Sequence, residues 1–196
     1  MSIPQEVKPA CLVVGMFMKD RSLFEQVIQS LKKQFGNIAL VSRWFNFDYT
    51  SYYEKEMGGP LFRRMISFID LMDPSQLPEI KLITNKIELQ FADNHNRNIN
   101  IDPGYIVAER FVLATGKNYT HRIYLNKGIF ADLTLIFQKG QFQKLPWTYP
   151  DYAADDVKFF LNNVRKHYLS VRETKCLTVL QPSQGLKKAR IPFRLL

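Results

Sequence analysis

The sequence predicts a single α+β domain: a mixed β-sheet with helices packed against it, over residues 1–170, followed by a basic C-terminal extension over 171–196. Three observations carry this. The chain opens with a strand–helix–strand pattern. Residues 120–137 have the spacing of a β-hairpin. Helical periodicity returns at 74–91 and again at 155–168. No internal repeat or low-complexity segment interrupts these elements, and 196 residues suffice to bury a substantial core.

Taken in order, Ala10 to Phe17 is a near-continuous apolar run of strand length, the pattern of a strand buried on both faces. From Ser22 to Phe35, Leu23, Phe24, Val27, Ile28, Leu31 and Phe35 recur at three- and four-residue steps. They predict an amphipathic helix capped by Asp20 or Ser22 and stopped by Gly36-Asn37. Ile38 to Phe47 follows at once as a second strand, expected beside the first and parallel to it. The tyrosine-rich segment 47–59 reads as an irregular loop. Pro60 fits the first turn of a helix running to about Met72. Asp73-Pro74 then begins a helix to Phe91 with a stripe of Leu77, Ile80, Ile83, Ile87 and Phe91, and with Lys81 and Glu88 among its outward residues. His95 falls in a polar turn.

The segment 98–152 packs the most chemistry into the least chain. Asn98 to Ile101 alternates as a strand, Asp102-Pro103-Gly104 reads as a turn, and Tyr105 to Ala114 fits strand or helix equally. A hairpin through a three-residue Asn126-Lys127-Gly128 loop would set Leu125 opposite Ile129. It would then place Arg122 opposite Asp132 as an ion pair, and His121 opposite Leu133 on an apolar face. Gln141 to Leu145 fits an edge strand. The last helix starts at Asp155-Asp156 and ends near Tyr168, with acids early and bases late, as the helix dipole favours.

The net charge of +9 and pI near 9.5 favour anionic partners. The residues from 171 onward account for +5 of it, through Arg172, Lys175, Lys187, Lys188, Arg190 and Arg194 against Glu173. Cys11 and Cys176 have no ligand or redox spacing, so neither a metal site nor an oxidising compartment is implied. The apolar run at 10–18 is too short to span a membrane, and no cleavage pattern follows it. A soluble cytoplasmic protein without membrane contact, metal or cofactor is the expectation.

Gly58 and Gly59, at the start of the helix expected from Pro60, would expose backbone N–H groups to an anion that Arg63 and Arg64 complete, unless Glu54 and Glu56 neutralise those arginines. Tyr105, Trp147 and Tyr149 offer ring faces for stacking, and Arg122 a further cation. Asp102 and His121 are the candidate acid–base residues. Three functions stay open: binding of a phosphate-bearing ligand such as a nucleotide or RNA, a small enzyme using Asp102, His121 and Arg122, and a protein-interaction subunit. Nucleophile elbow, zinc-ligand spacing, phosphate loop and dinucleotide fingerprint are all missing from the sequence.

Four segments carry a resemblance. They are Phe47-Asp48-Tyr49-Thr50-Ser51-Tyr52-Tyr53-Glu54-Lys55-Glu56-Met57-Gly58, Ile101-Asp102-Pro103-Gly104-Tyr105, His121-Arg122-Ile123-Tyr124-Leu125, and Pro146-Trp147-Thr148-Tyr149-Pro150-Asp151-Tyr152. Through them, residues 9–168 resemble a bacterial family of uncharacterised proteins, domain of unknown function 4416. The resemblance implies no established activity. Some members carry a GTP-binding label, which this chain, lacking GxxxxGK[ST], does not support.

Overall fold

The computed structural model describes residues 1–180 except Ser51 and His95, with side chains described as far as residue 173. His95 and most of the expected basic extension therefore lie outside the described residues. Among them, nine strands form one sheet in the order β2-β4-β1-β5-β6-β8-β7, with β3 added to β4 and β9 to β8. Every pairing is antiparallel. Helices cover both faces, giving an α+β domain.

At the centre are β1 (Ala10–Met18) and β4 (Leu61–Met72). β1 is buried at every position. Its even residues Leu12, Val14 and Met16 join a core with α1 (Leu23–Phe35) and α3 (Leu77–Gln90). Its odd residues Cys11 and Val13 face α5 (Asp155–Leu180) and that helix's Val157, Phe160, Leu161 and Val164. β1 and β2 (Ile38–Val41) run the same way but are not neighbours, because β4 lies between them and pairs with both. The second expected strand is also interrupted, resuming as β3 (Phe45–Phe47).

The helix expected from Pro60 is the main correction. Residues 61–72 form the long central strand β4. Leu61, Arg63, Met65 and Ser67 are buried on one face, while Ile66 and Phe68 are buried on the other. A strand covered on both faces loses the apolar–polar alternation that would identify it, and two arginines inside it disguised the pattern further. The helix-dipole conflict of Arg63 and Arg64 disappears with the helix. Gly58 and Gly59 follow the short α2 (Glu54–Met57) and precede a strand, so they expose no helix N-terminus to an anion. Glu56 neutralises neither arginine and instead binds Arg97.

Asp102-Pro103-Gly104 is likewise strand, inside β5 (Ile99–Ile106). β6 is Arg110–Thr115, which resolves the ambiguous 105–114 segment into two strands and a tight turn. β5 pairs with β6 only over Gly104, Tyr105 and Ile106. Before that point the two strands part. A Cβ on Gly104 would stand 2.4 Å from the Val112 carbonyl oxygen, so the glycine serves a close backbone approach rather than a turn. Ile101, whose backbone faces the gap, is satisfied from α3. Lys81 Nζ donates to its carbonyl at 2.8 Å, and Glu88 Oε1 accepts from its N–H at 2.5 Å. Pro103, two residues on and pointing the same way, has no N–H to leave unpaired. Lys81 and Glu88, expected to face outward, are therefore buried.

The hairpin pairs β7 (Arg122–Asn126) with β8 (Ile129–Gln138), and Arg122 is opposite Asp132 as expected. The turn itself is tighter. Lys127 and Gly128 both have positive φ, 51° and 76°, and Asn126 pairs with Ile129. A bulge at Leu125 absorbs the residue that the shorter turn leaves over, which restores the Arg122–Asp132 register. His121 precedes β7 and reaches Asp132 instead of an apolar face. β9 (Gln141–Lys144) forms the expected edge, α4 is Pro150–Ala153, and α5 continues past Tyr168 to Leu180. No helix among the described residues is long and apolar enough to cross a membrane.

Replacing Glu88 by Leu leaves the Ile101 N–H buried without an acceptor, at a cost of about 1–3 kcal/mol. Glu88→Gln keeps an accepting oxygen and loses less. Urea denaturation of the two variants gives the comparison.

Candidate functional site

Where β5 and β6 part, a cleft of about 650 Å³ opens on the α5 side of the sheet. Alternation along each strand builds its floor. Phe17 pairs with Asn100, Gly15 with Asp102 and Leu113 with Asp132, so Asn100, Asp102, Leu113 and Asp132 point to one side across three adjacent strands. One wall is the loop carrying Tyr49, Tyr52 and Tyr53, and the other is the segment Tyr149 to Tyr152. Lys81 and Glu88 reach in through the gap from α3, and Thr115, Gly116 and Lys117 form the rim.

The walls are fastened in different ways. Tyr53 meets Phe17 edge-on at 4.6 Å, and Phe17 stacks flat on Phe47 at 4.3 Å. Burial, then the charge of Asp102, pushes the Tyr53 phenol up to about 12. The opposite wall is tied through Trp147, Thr148, Tyr149 and Asp151. Trp147 Nε1 donates to the Leu133 carbonyl at 2.8 Å, Thr148 Oγ1 to the Thr134 carbonyl at 2.6 Å, and Arg122 Nη2 to the Tyr149 hydroxyl at 2.9 Å. Asp151 forms an ion pair with Arg63 of β4, and Arg63 is 1% exposed. The Arg63 guanidinium also lies 4.1 Å from the centre of the Tyr152 ring.

Charge in the cleft is balanced. Lys81, Arg97, Lys117 and Arg122 face Glu88, Asp102, Asp132 and Asp151. Most are engaged. Arg97 binds both oxygens of Glu56, at 2.7 and 2.8 Å, and approaches Glu88 at 3.7 Å. Its hydrogen bonds hold the Glu56 carboxyl below the usual range, whereas burial raises Glu88 despite Lys81 nearby. Arg122 Nε donates to Asp132 Oδ2 at 3.0 Å. Asp102 accepts from Asn100 Nδ2 at 2.8 Å, with Lys81 Nζ 3.6 Å from its other oxygen, and it keeps a face toward the cleft. Lys117 forms no ion pair among the described residues; its Nζ lies 4.7 Å above the Tyr52 ring.

The structure thus brings together Asp102, Arg122 and Tyr149 of the residues nominated from sequence. Neither His121 nor Trp147 lines the cleft. His121 Nε2 is 3.1 Å from Asp132 Oδ2, and its ring stacks on Trp147 at 5.1 Å. Arg63 lies behind the wall. Arg64 is on the other face of the sheet, donating to the Ser42 carbonyl at 3.0 Å and covering Phe24. Tyr105 packs into the two cores. Gly58 abuts Lys19, and neither Gly58 nor Gly59 lines the cleft. Sequence reasoning missed Lys81 and Glu88, and reached Tyr152 only as the end of the aromatic run from Trp147. The signal for the first two was a seven-residue spacing beside the Ile80 and Ile87 stripe. No group of three or more metal-ligating side chains occurs among the described residues.

A family model for a domain of unknown function (DUF4416) matches residues 8–168. The chain belongs to that family. The matched span contains every cleft residue named above, so the site lies wholly within the family's shared domain. Neither the curated proteins nor the solved structures contain a match.

Removing one member of the Arg63–Asp151 pair leaves the other buried and uncompensated. Arg63→Met and Asp151→Leu are each expected to cost about 3–5 kcal/mol, and the double variant less than their sum. A double-mutant cycle in urea measures this coupling.

Proposed function

We propose that the protein binds a mononucleotide, with the base against the tyrosine walls and the phosphate at the rim beside Lys117 and Arg122. The observation that carries this reading is the juxtaposition of aromatic walls with a lysine that forms no ion pair among the described residues. Tyr49, Tyr52, Tyr53 and Tyr149 border the same cleft as Lys117. Ring faces accept any base by stacking, and each stacked base contributes about 1–3 kcal/mol. The Lys117 ammonium itself lies 4.7 Å above the Tyr52 ring, so the cation and a ring face border the same part of the cleft. Arg122 holds this rim in place by donating to the Lys117 carbonyl at 3.0 Å.

A mononucleotide suits the cleft better than an RNA strand. Four basic side chains are offset by four acidic ones, and a groove that tracks a polynucleotide backbone carries an excess of positive charge. The enzymatic reading has less support. Asp102 faces the cleft, but His121 is held behind Asp132 and Trp147.

Isothermal titration with nucleoside 5′-phosphates, the parent nucleosides and inorganic phosphate tests the proposal. Nucleotides should bind more tightly than either fragment. Lys117→Glu should weaken nucleotide binding about tenfold or more, a loss of roughly 1.4 kcal/mol, without shifting the melting temperature of this exposed site. Absence of nucleotide binding at millimolar concentration would overturn it.

A further inference from the structure

One end of the sheet is left open. β7 pairs with β8 on one side and has no strand on the other among the described residues. Edge strands are ordinarily blunted by charge, proline or a covering segment, because an open row of backbone groups invites another chain. β2, β3 and β9 also pair on one side only, and none of them exposes a large apolar side chain. β7 departs from that rule. Ile123, Tyr124 and Leu125 are consecutive, and they are 71%, 58% and 37% exposed. The flanking cations do not shield them, since Arg122 is taken by Asp132 and Tyr149, and Lys127 by Glu79.

The backbone of this edge is open at its centre. The Arg122 N–H donates to the Tyr119 carbonyl at 3.0 Å, outside the ladder with β8. Facing residues of an antiparallel pair alternate between exchanging backbone bonds and not exchanging them. Ile123 therefore turns its N–H and C=O to β8, and Tyr124 turns its own outward. Tyr124 is the middle residue of the five in β7. Its ring is set edge-on against Phe130 at 5.3 Å, which fixes the side chain beside the open backbone.

We propose that β7 pairs with β7 of a second copy, antiparallel about a two-fold axis at Tyr124, making the protein a homodimer with one continuous sheet. A strand that pairs with its own copy must be self-complementary about the axis. This one is. Tyr124 meets its counterpart, and the outward donor and acceptor of each satisfy those of the other. Ile123 comes opposite Leu125, apolar against apolar, and Arg122 comes opposite Asn126, so no like charges oppose one another. The bulge at Leu125 lies on the turn side of this pair and ends the regular edge there. Five residues from each copy fall short of the roughly 1,000 Å² of a stable interface, so the dimer is a weak one. Arg122 also ties the Lys117 carbonyl and Tyr149, so the joint adjoins the cleft of each copy.

Sedimentation velocity of the full chain, from micromolar to millimolar concentration, tests this with Ile123→Lys and Tyr124→Lys beside the wild type. The wild type should pass from monomer to dimer and stop there, because a two-fold contact closes. Each lysine variant should weaken the dimer about tenfold or more, with the melting temperature of the monomer unchanged at these exposed positions. In hydrogen exchange followed by NMR, the Tyr124 amide of the wild type should gain protection as concentration rises. A wild type that stays monomeric at millimolar concentration would overturn the proposal. So would a dimer that persists in both lysine variants, growth into open-ended oligomers, or a Tyr124 amide whose exchange ignores concentration.

Discussion

The buried ion pair between Arg63 and Asp151 is the interaction on which the cleft depends. It joins the central strand to the segment that forms one wall, and neither partner is placed by local sequence: 88 residues separate them. Arg63 occupies an inward position of β4 because strand alternation puts it between Leu61 and Met65. Taking that cation out of water is expensive, and Asp151 with the Tyr152 and Phe47 rings offsets the cost. Such a pair adds little net stability compared with an apolar substitute, but it admits one docking of the 149–152 segment. The wall is therefore fixed before any ligand arrives, and preorganisation of this kind lowers the cost of binding.

The cleft itself exists because the sheet divides. β5 and β6 pair for three residues and then separate, which would leave the backbone of Ile101 exposed in a protein interior. Lys81 and Glu88 replace the missing strand as hydrogen-bond partners, and Pro103 removes the next donor. The gap is thus a satisfied feature of the fold. It also explains why two charged residues on α3, Lys81 and Glu88, are buried among apolar neighbours.

Local periodicity made the amphipathic helices legible: α1, α3 and the start of α5 were all marked by apolar stripes and end signals. The Arg122–Asp132 pairing was legible too, because hairpin register follows from a short turn, although the turn is shorter and the Leu125 bulge compensates. β4 was not legible. Its burial on both faces erased the alternation that would identify it, and its inward arginine is explained only by Asp151 far along the chain. Asp102-Pro103-Gly104 failed for a related reason. Its residues have a turn composition, but proline and glycine are there for the parting of two strands, which is a tertiary event. Of the candidate site, Asp102, Arg122 and Tyr149 were found as chemically capable residues. The tyrosines at 49–53 and the lysine at 117 gained meaning only once the chain placed them around one cavity.

Hydrogen exchange of Asp151→Asn against the wild type, read peptide by peptide, tests the central claim most directly. If the Arg63–Asp151 pair holds the wall, amides across residues 147–154 should lose more protection in the variant than the centres of β1 and β4, which lose only what the lower global stability takes. Unchanged protection across 147–154, or a loss there no greater than over the sheet, would contradict it.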